Sequence, residues 1–140
     1  MNHYQEYFNT APGKTLATTD KNGNPNVCMC GSAYMLDENT IIAASGFFDR
    51  TDINIQETNK AVFMACKPLS PEYFKYYNET GEKQFPAGYR FYCTLQETST
   101  SGPMLENVKE RLRTRVGNRI PDSLKKVLVF KIDEIRELAF

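Results

Sequence analysis

The side chains best suited to chemistry lie in one segment, G-F-F-D-R-T-D-I-N, at positions 46–54. Arg50 offers a fork of hydrogen-bond donors and Thr51 a hydroxyl. A helix is predicted to start beside them, with unpaired backbone N–H groups and the positive end of its dipole. Together these groups suit a phosphate. The same residues also fit a structural role in which Thr51 caps the helix and Arg50 is a solvated surface charge, and the segment alone does not decide between the two.

Four cysteines, Cys28, Cys30, Cys66 and Cys93, are the other reactive side chains. Cys28 and Cys30 form a C-x-C pair whose side chains share one face of a strand, an arrangement with poor geometry for a disulfide. With His3 as the sole histidine and no second closely spaced cysteine pair, the sequence lacks the ligand set of a structural metal site. We therefore predict free thiols that pack as small apolar side chains, and no metal.

The sequence carries none of the common catalytic patterns. It has no G-x-S-x-G elbow, no P-loop and no G-x-G-x-x-G fingerprint, and His3 is too isolated to anchor a catalytic triad. A function that depends on a bound cofactor is therefore favoured, because the cofactor can supply chemistry that these side chains cannot.

The overall charge and hydropathy exclude two classes of partner. Seventeen basic residues balance seventeen acidic ones, so no net field attracts nucleic acid. No apolar run approaches the roughly 20 residues of a membrane helix, and the start of the chain lacks the basic and apolar segments of a signal peptide. We therefore predict a cytoplasmic protein without membrane contact.

Short strands joined by tight turns are predicted to position the 46–54 segment. Strands are expected at residues 14–19, 26–34, 40–44, 60–67, 89–98 and 126–132, and short helices at residues 4–8, 51–57 and 103–115. We expect residues 72–86 to form an ordered segment that leaves the sheet between two strands, and residues 133–140 to form a terminal turn or helix. Six strands in one domain of residues 1–140, with two or three short helices, favour an antiparallel barrel over a parallel doubly wound sheet.

The order of these segments resembles the pyridoxamine 5′-phosphate oxidase-like split-barrel family, and within it the short single-domain proteins that bind flavin mononucleotide (FMN). The resemblance rests on L-A-T-T-D-K-N-G-N-P-N-V at 16–27, T-I-I-A-A at 40–44, R-T-D-I-N-I at 50–55 and K-A-V-F-M-A at 60–65, and it resumes at 88–95 and 127–135. It implies a mainly β fold, a six-stranded antiparallel split β-barrel, and a homodimer with FMN at the interface.

The same resemblance implies a set of cofactor-binding residues. Arg50 and Thr51 would hold the FMN phosphate, and Asn54 would support the turn or reach the cofactor. The strand after the first hairpin lies beside the flavin ring, and the next strand ends against it. The residues placed there are Cys28, Met29, Cys30, Gly31, Ser32, Ser45 and Gly46.

Two departures from the family pattern shape the predicted function. The oxidase branch carries an arginine and tryptophan motif for its phosphorylated substrate near its C-terminus, whereas this sequence has no tryptophan, which argues against pyridoxamine phosphate oxidation. Cys28, Met29 and Cys30 also stand where polar residues often tune the ring. We predict an FMN-binding flavoprotein that acts as an oxidoreductase or reductase on an unknown small molecule. The alternatives are a non-enzymatic FMN carrier or electron-transfer protein, and a flavin-free barrel that binds heme or another small molecule.

Eight Tyr and Phe residues between positions 73 and 92 form the last notable pattern. Stacking on such rings would let the segment cover a flavin or admit a flat substrate. Aromatic side chains are also common in cores and at dimer contacts, so the composition of the segment leaves both roles open.

Overall fold

The computed structural model describes residues 2–46 and 49–138, which form a mainly β fold. Seven antiparallel strands make one sheet in the order β2-β1-β5-β6-β7-β4-β3. The strands are β1 (Gly13–Thr19), β2 (Pro25–Met29), β3 (Tyr34–Asp37), β4 (Thr40–Ser45), β5 (Lys60–Cys66), β6 (Gly88–Ser99) and β7 (Lys126–Glu137). The helices in this part of the chain are α1 (His3–Thr10), α2 (Asp49–Thr58), α3 (Pro71–Thr80), α4 (Pro103–Val116) and α5 (Arg119–Ser123).

The first hairpin forms where the Asn-Gly pair predicts it. The Asp20 carboxylate accepts hydrogen bonds from the backbone N–H groups of Asn22 and Asn24, at 2.8 and 2.9 Å. Gly23 adopts a φ of 84°, which a residue without a Cβ takes at no steric cost. The turn sets the register between β1 and β2, in which Ala17 lies opposite Val27.

Strand β4 separates two apolar clusters, which explains its unbroken apolar run. Ile41 and Ala43 pack into the main core, where Phe63 and Phe130 meet edge to face. Ile42 and Ala44 point the other way, into a second cluster that is covered by α4 and by Leu124, the residue after α5. Since successive side chains of a strand face opposite sides, a strand buried on both sides must be apolar throughout.

The prediction of a mainly β split barrel is confirmed, with seven strands instead of six. The predicted strand at 26–34 is wrong in extent: β2 ends at Met29, the chain turns, and a separate strand β3 begins at Tyr34. At the turn the Ser32 hydroxyl donates to the carbonyl of Ala44 and accepts from its N–H, at 2.9 and 3.0 Å. A side chain therefore takes the place of backbone pairing at this position.

Two other boundaries differ from the predictions. The expected turn or helix at 133–140 is wrong, because β7 continues to Glu137 and pairs with β6, with Glu137 opposite Tyr89. Residues 139 and 140 lie outside the described residues. The segment at 72–86, predicted to leave the sheet in an ordered form, contains most of helix α3. Ser70 caps the start of this helix, and Gly81 ends it with a φ of 73°. Its Tyr73 is buried and donates a hydrogen bond to the carbonyl of Phe85.

None of the helices in residues 2–46 and 49–138 is both long enough and apolar enough to cross a membrane.

The four cysteines are all unpaired, and they fall into two classes. Cys30 and Cys93 belong to the main core, whereas Cys28 and Cys66 are half-buried. Desolvation by burial raises the pKa of both Cys30 and Cys93 to about 12. The core thiols are therefore protonated and inaccessible at neutral pH.

We predict that a thiol reagent at pH 8 labels Cys28 and Cys66 in the native protein and leaves Cys30 and Cys93 unlabelled, as read by mass spectrometry of the labelled peptides. The raised pKa also has a stability consequence. An unfolded thiol ionises near 9.0, so the stability that the core thiols contribute is complete below that pH and is lost as pH rises toward about 12. Cys28→Ser and Cys66→Ser proteins identify the reactive sites. A Cys28–Cys30 disulfide in fresh protein, or equal labelling of Cys30 and Cys66, would contradict the assignment.

Candidate functional site

Hydrogen bonds join the start of α2 to the ends of two neighbouring strands. The Thr51 hydroxyl accepts from Asn26 Nδ2 at 3.1 Å and donates to Cys28 Sγ at 3.4 Å, which ties α2 to β2. The Ser45 hydroxyl donates to Asp52 Oδ2 at 2.7 Å, which ties α2 to the end of β4. The junction of β2, β4 and α2 therefore contains most of the predicted cofactor-binding residues.

Arg50 is exposed in the first turn of α2 and forms no ion pair with any described residue. The charge of Arg50 affects Asp20 in the first hairpin. The pKa of Asp20 is lowered mainly by hydrogen bonds from Asn24, and the positive charge of Arg50 lowers it further by a smaller amount. An unpaired guanidinium beside the first turn of a helix is a suitable anchor for a phosphate.

Thr51 does not have the capping role that the sequence left open. The helix begins at Asp49, so Thr51 lies inside its first turn, and only 2 % of its surface is exposed. Asn54 is as deeply buried, and its Nδ2 donates to the Thr18 hydroxyl at 3.1 Å, which fastens α2 to β1. The amide nitrogen of Asn54 therefore supports the position of α2, and its Oδ1 stays available for the other predicted role, contact with the cofactor. Phe47 and Phe48 of the same segment lie outside the described residues.

Two buried oxygen atoms at the junction have no hydrogen-bond partner among the described residues. They are Oδ1 of Asp52 and Oδ1 of Asn54. The other carboxylate oxygen of Asp52 is satisfied by Ser45 and by Lys126 Nζ at 3.3 Å. Buried acceptors are almost always paired, so these two oxygens indicate a place for hydroxyl or N–H donors that the described residues do not supply.

The predicted ring-side residues of β2 lie on two faces of the strand. Met29 and Val27 point outward, with 63 % and 67 % of their surface exposed. Cys28 and Cys30 point inward, toward α2 and the core. The side chains of Cys28, Met29 and Cys30 therefore do not all lie on one ligand-binding surface.

A small apolar cavity of about 240 Å³ lies beside the junction. It brings together four of the predicted positions, Met29, Gly31, Ser32 and Gly46, and its far wall comes from α4 and α5. That wall was not predicted from the sequence. Gly46 carried a signal for it, because a Cβ there would lie 2.4 Å from the carbonyl oxygen of Ser123 in α5. The close approach of α5 requires a glycine at this position.

The outer face of the sheet carries an apolar groove of about 670 Å³. Its floor is a row of side chains across four neighbouring strands, in which Val27 faces Ala17, Ala17 faces Val62 and Val62 faces Tyr92. Met29 continues the same outward face of β2. We call this surface the outer face.

His3 and the aromatic segment are placed mostly in other parts of the fold. His3 lies in α1 with its Nε2 2.9 Å from the Tyr89 hydroxyl. Tyr89 and Phe91 are core residues, whereas Phe74 and Phe85 are exposed. No group of three His, Cys, Asp or Glu side chains suited to a metal ion occurs within residues 2–46 and 49–138.

Comparison with known proteins identifies the family. The model of the family described as pyridoxamine 5′-phosphate oxidase matches residues 2–139. A search of curated proteins found no match. The chain is similar to the crystal structure of an FMN-binding protein from Syntrophomonas wolfei, with 29 % identity, coverage of 98 % of this chain and 84 % of that one, and a TM-score of 0.77.

Two further solved structures show the same fold at lower identity. HupZ of Group A Streptococcus is 23 % identical, with a TM-score of 0.70, and the match covers 99 % of this chain and 93 % of the HupZ chain. HutZ, the heme storage protein from Vibrio cholerae, is 16 % identical, with a TM-score of 0.62, and the match covers 94 % of this chain and 89 % of the HutZ chain. With its mainly β split barrel and a family match that extends over residues 2–139, this chain belongs to the pyridoxamine 5′-phosphate oxidase family.

Proposed function

We propose that this chain binds FMN and acts as a flavin-dependent oxidoreductase on a small molecule. The observation that carries the proposal is the position of Arg50, which forms no ion pair with a described residue and lies in the first turn of α2, at the junction of β2 and β4. The similarity to an FMN-binding protein over 98 % of this chain supports it. When bound, FMN supplies reversible hydride and electron transfer.

The residues at the junction fit the polar parts of FMN. Arg50 and the first backbone N–H groups of α2 would hold the phosphate. The Thr51 hydroxyl is engaged with Asn26 and Cys28, so in this proposal Thr51 contributes its backbone rather than its hydroxyl. The unpartnered oxygens of Asp52 and Asn54 are acceptors, and the ribityl chain of FMN is a row of hydroxyl donors. The fit therefore extends beyond the phosphate.

The apolar part of the site is proposed to hold the ring. Met29, Ser32 and the Ser45–Gly46 backbone border the small cavity or lie next to it, and Cys28 and Cys30 support this wall from the inside. Cys28 is in contact with Thr51 through its sulfur, so it links the ring wall to the phosphate end.

A non-enzymatic FMN carrier or electron-transfer protein is the second candidate, and one observation favours it. The sole histidine is engaged with Tyr89, and the polar side chains of the junction are tied to one another. Assays of flavin reduction by NADH or NADPH, followed by screening of small-molecule acceptors, separate the two functions. The same engagement of His3 disfavours the heme-binding alternative, because a ligand to iron would have to leave Tyr89.

We further propose a homodimer that forms through the outer face, with FMN at the interface. An apolar patch of this kind on a monomer is an expected protein contact. Met29 is exposed on the same face and also lines the small cavity, so a second subunit on the outer face would reach the edge of the proposed ring position. The four unpaired thiols suit a reducing compartment, and a cytoplasmic location is proposed on that ground.

Arg50→Ala is expected to weaken FMN binding by about 1.5 to 3 kcal/mol, the usual scale for a hydrogen bond to a charged group. Riboflavin binding should be nearly unchanged, because riboflavin lacks the phosphate. Titration of each flavin, followed by quenching of its fluorescence, measures both affinities. Lys75→Ala removes an exposed positive charge from α3 and serves as the control. Equal losses for the two flavins would refute the phosphate assignment.

Val27→Asp is expected to shift the protein from dimer to monomer, because a second copy would have to bury the new carboxylate in an apolar surface. Sedimentation velocity at decreasing protein concentration, with and without FMN, measures the shift. Leu36→Asp places the same charge at an exposed apolar position of β3, at the other end of the strand order, and should leave the dimer intact. A Val27→Asp protein that stays dimeric, with unchanged FMN affinity, would exclude the outer face as the interface.

A further inference from the structure

A cavity of about 350 Å³ lies between α1, the start of β1 and α4, and its charged lining is basic throughout. Lys14 of β1 faces it, together with Arg111 and Arg115 of α4. We call it the basic pocket. No acidic side chain among the described residues lines it, so the pocket holds three basic side chains and no carboxylate to balance them.

Lys14 is the one buried lysine among the described residues, with 6 % of its surface exposed. Its Nζ donates one long hydrogen bond, 3.5 Å to the carbonyl oxygen of Ala11, and lies 5.4 Å from the centre of the Phe8 ring. Burial, and then the positive charge of Arg115, lower the pKa of Lys14, against a smaller opposite effect of Cys30. A lysine that is desolvated beside another cation carries a neutral, nucleophilic amine more readily than an exposed lysine does.

Arg111 lines the same pocket with a donor that has no partner. Its guanidinium lies over the Tyr34 ring, 3.8 Å from the ring centre, which fixes its plane. Its Nη2 atom is buried and has no hydrogen-bond partner among the described residues. Arg115 is exposed at the mouth of the pocket, and its charge acts on Lys14. The helix side of the pocket therefore offers guanidinium N–H groups to a negatively charged oxygen.

The other basic residues of α4 are paired, which sets Arg111 and Arg115 apart. Arg113 forms ion pairs with Glu110 and Asp122, at 2.9 and 2.6 Å, and Lys109 lies 3.7 Å from Glu106. Neither Arg111 nor Arg115 forms an ion pair with a described residue. One face of the helix is therefore neutralised within the chain, and the face toward the basic pocket is not.

We propose that Lys14 is a carbamylation site, at which carbon dioxide adds reversibly to the side-chain amine inside the basic pocket. The lone pair of the neutral Nζ attacks the carbon of carbon dioxide, so that a C–N bond forms and the electron pair of one C=O bond moves to oxygen. Nζ then releases a proton to water. The product is a carbamate with one negative charge, and the step needs no oxidant, reductant or further reactant.

A carbamate fits the basic pocket better than the ammonium group of Lys14 does. It replaces a buried cation by an anion, and its planar carboxylate matches the paired donors of a guanidinium such as that of Arg111. The added group is small, and a cavity of about 350 Å³ holds it. A free anion would instead require Lys14 to keep its proton at a position where burial opposes the charge.

The modification would also join two elements of the fold. Lys14 belongs to the start of β1 and the two arginines belong to α4, so a carbamate would form ion pairs between the sheet and the helix. A group that is added to the native state stabilises it by linkage. The melting temperature should therefore rise with bicarbonate in the unsubstituted chain, relative to chloride at equal ionic strength, and should not rise in Lys14→Met.

The direct test is to equilibrate the folded full chain with ¹³C-labelled bicarbonate at neutral pH and to trap carbamates by alkylation with a triethyloxonium salt. Tandem mass spectrometry of the peptides assigns each ethyl carbamate to one residue. We expect the label at Lys14 and not at Lys75, an exposed lysine of α3, because exposed lysines are protonated at neutral pH. The carbamate carbon should also give a ¹³C NMR signal in the untreated protein that is lost in Lys14→Met.

Arg115→Gln should lower the labelled fraction of Lys14 about tenfold, because the carbamate loses a charge-assisted hydrogen bond. The amine also loses a neighbouring cation that lowers its pKa. Arg119→Gln removes an exposed charge of α5 outside the pocket lining, and it should change the labelled fraction less than about twofold. Both arginines are exposed, so both proteins are expected to fold, and circular dichroism checks this.

An unlabelled Lys14 in folded protein would overturn the proposal, and so would equal labelling of Lys14 and Lys75. Bicarbonate that binds without a covalent bond would leave no alkylated lysine and would count against it in the same way. A labelled fraction that is the same in Arg115→Gln and in the unsubstituted chain would exclude the role of the pocket. None of these measurements needs flavin, so this proposal and the FMN proposal can fail separately.

Discussion

The geometry of the site depends on how the first turns of α2 are bonded into the sheet. Asn54 and Thr51 are almost completely buried, and their side chains reach β1 and β2. Asp52 reaches the end of β4 through Ser45. These polar contacts are shielded from water, so losing one partner leaves the other unsatisfied, and the helix start is held in one position. Arg50 is held at the surface by that fixed helix start, and an exposed cation in a fixed position is what a phosphate site requires.

The same bonding leaves two buried acceptors at the junction, Asp52 Oδ1 and Asn54 Oδ1, without a donor among the described residues. The turn after β2 lies beside the junction and is rigid, because two hydrogen bonds fix Ser32 to Ala44. A polyol chain such as the ribityl group of FMN would supply the missing donors. The proposed FMN site therefore depends on the turn after β2 as well as on the start of α2.

Local patterns predicted the part of the fold that local interactions determine. The Asn-Gly hairpin, the apolar run of β4 and the amphipathic spacing of α4 are properties of a few neighbouring residues, and all three elements form where expected. The turn at Gly31 was missed because a serine hydroxyl replaces the ladder there, and the partner is 12 residues away. The end of β7 was missed because Ile132 and Ile135, which both pack against the main core, are three residues apart, whereas a regular strand repeats every two. A register shift in the pairing with β6 lies between them, and the sequence does not reveal it.

The site was predictable to a similar degree. The family resemblance selected Arg50 and the residues around it, but it could not show that Cys28 and Cys30 turn away from Met29, since that depends on which face of β2 meets the core. The residues of α4 and α5 that line the small cavity form no sequence pattern of their own. Leu112 and Ile120 lie far along the chain from Met29, and they line one cavity with it only in the folded structure.

Native mass spectrometry of the protein, as purified and after addition of equimolar FMN and riboflavin, tests the central claim most directly. We expect a species with the mass of two chains and two FMN molecules, in which riboflavin does not displace FMN. A single chain without flavin under the same conditions, or a complex that takes up riboflavin as readily as FMN, would contradict it.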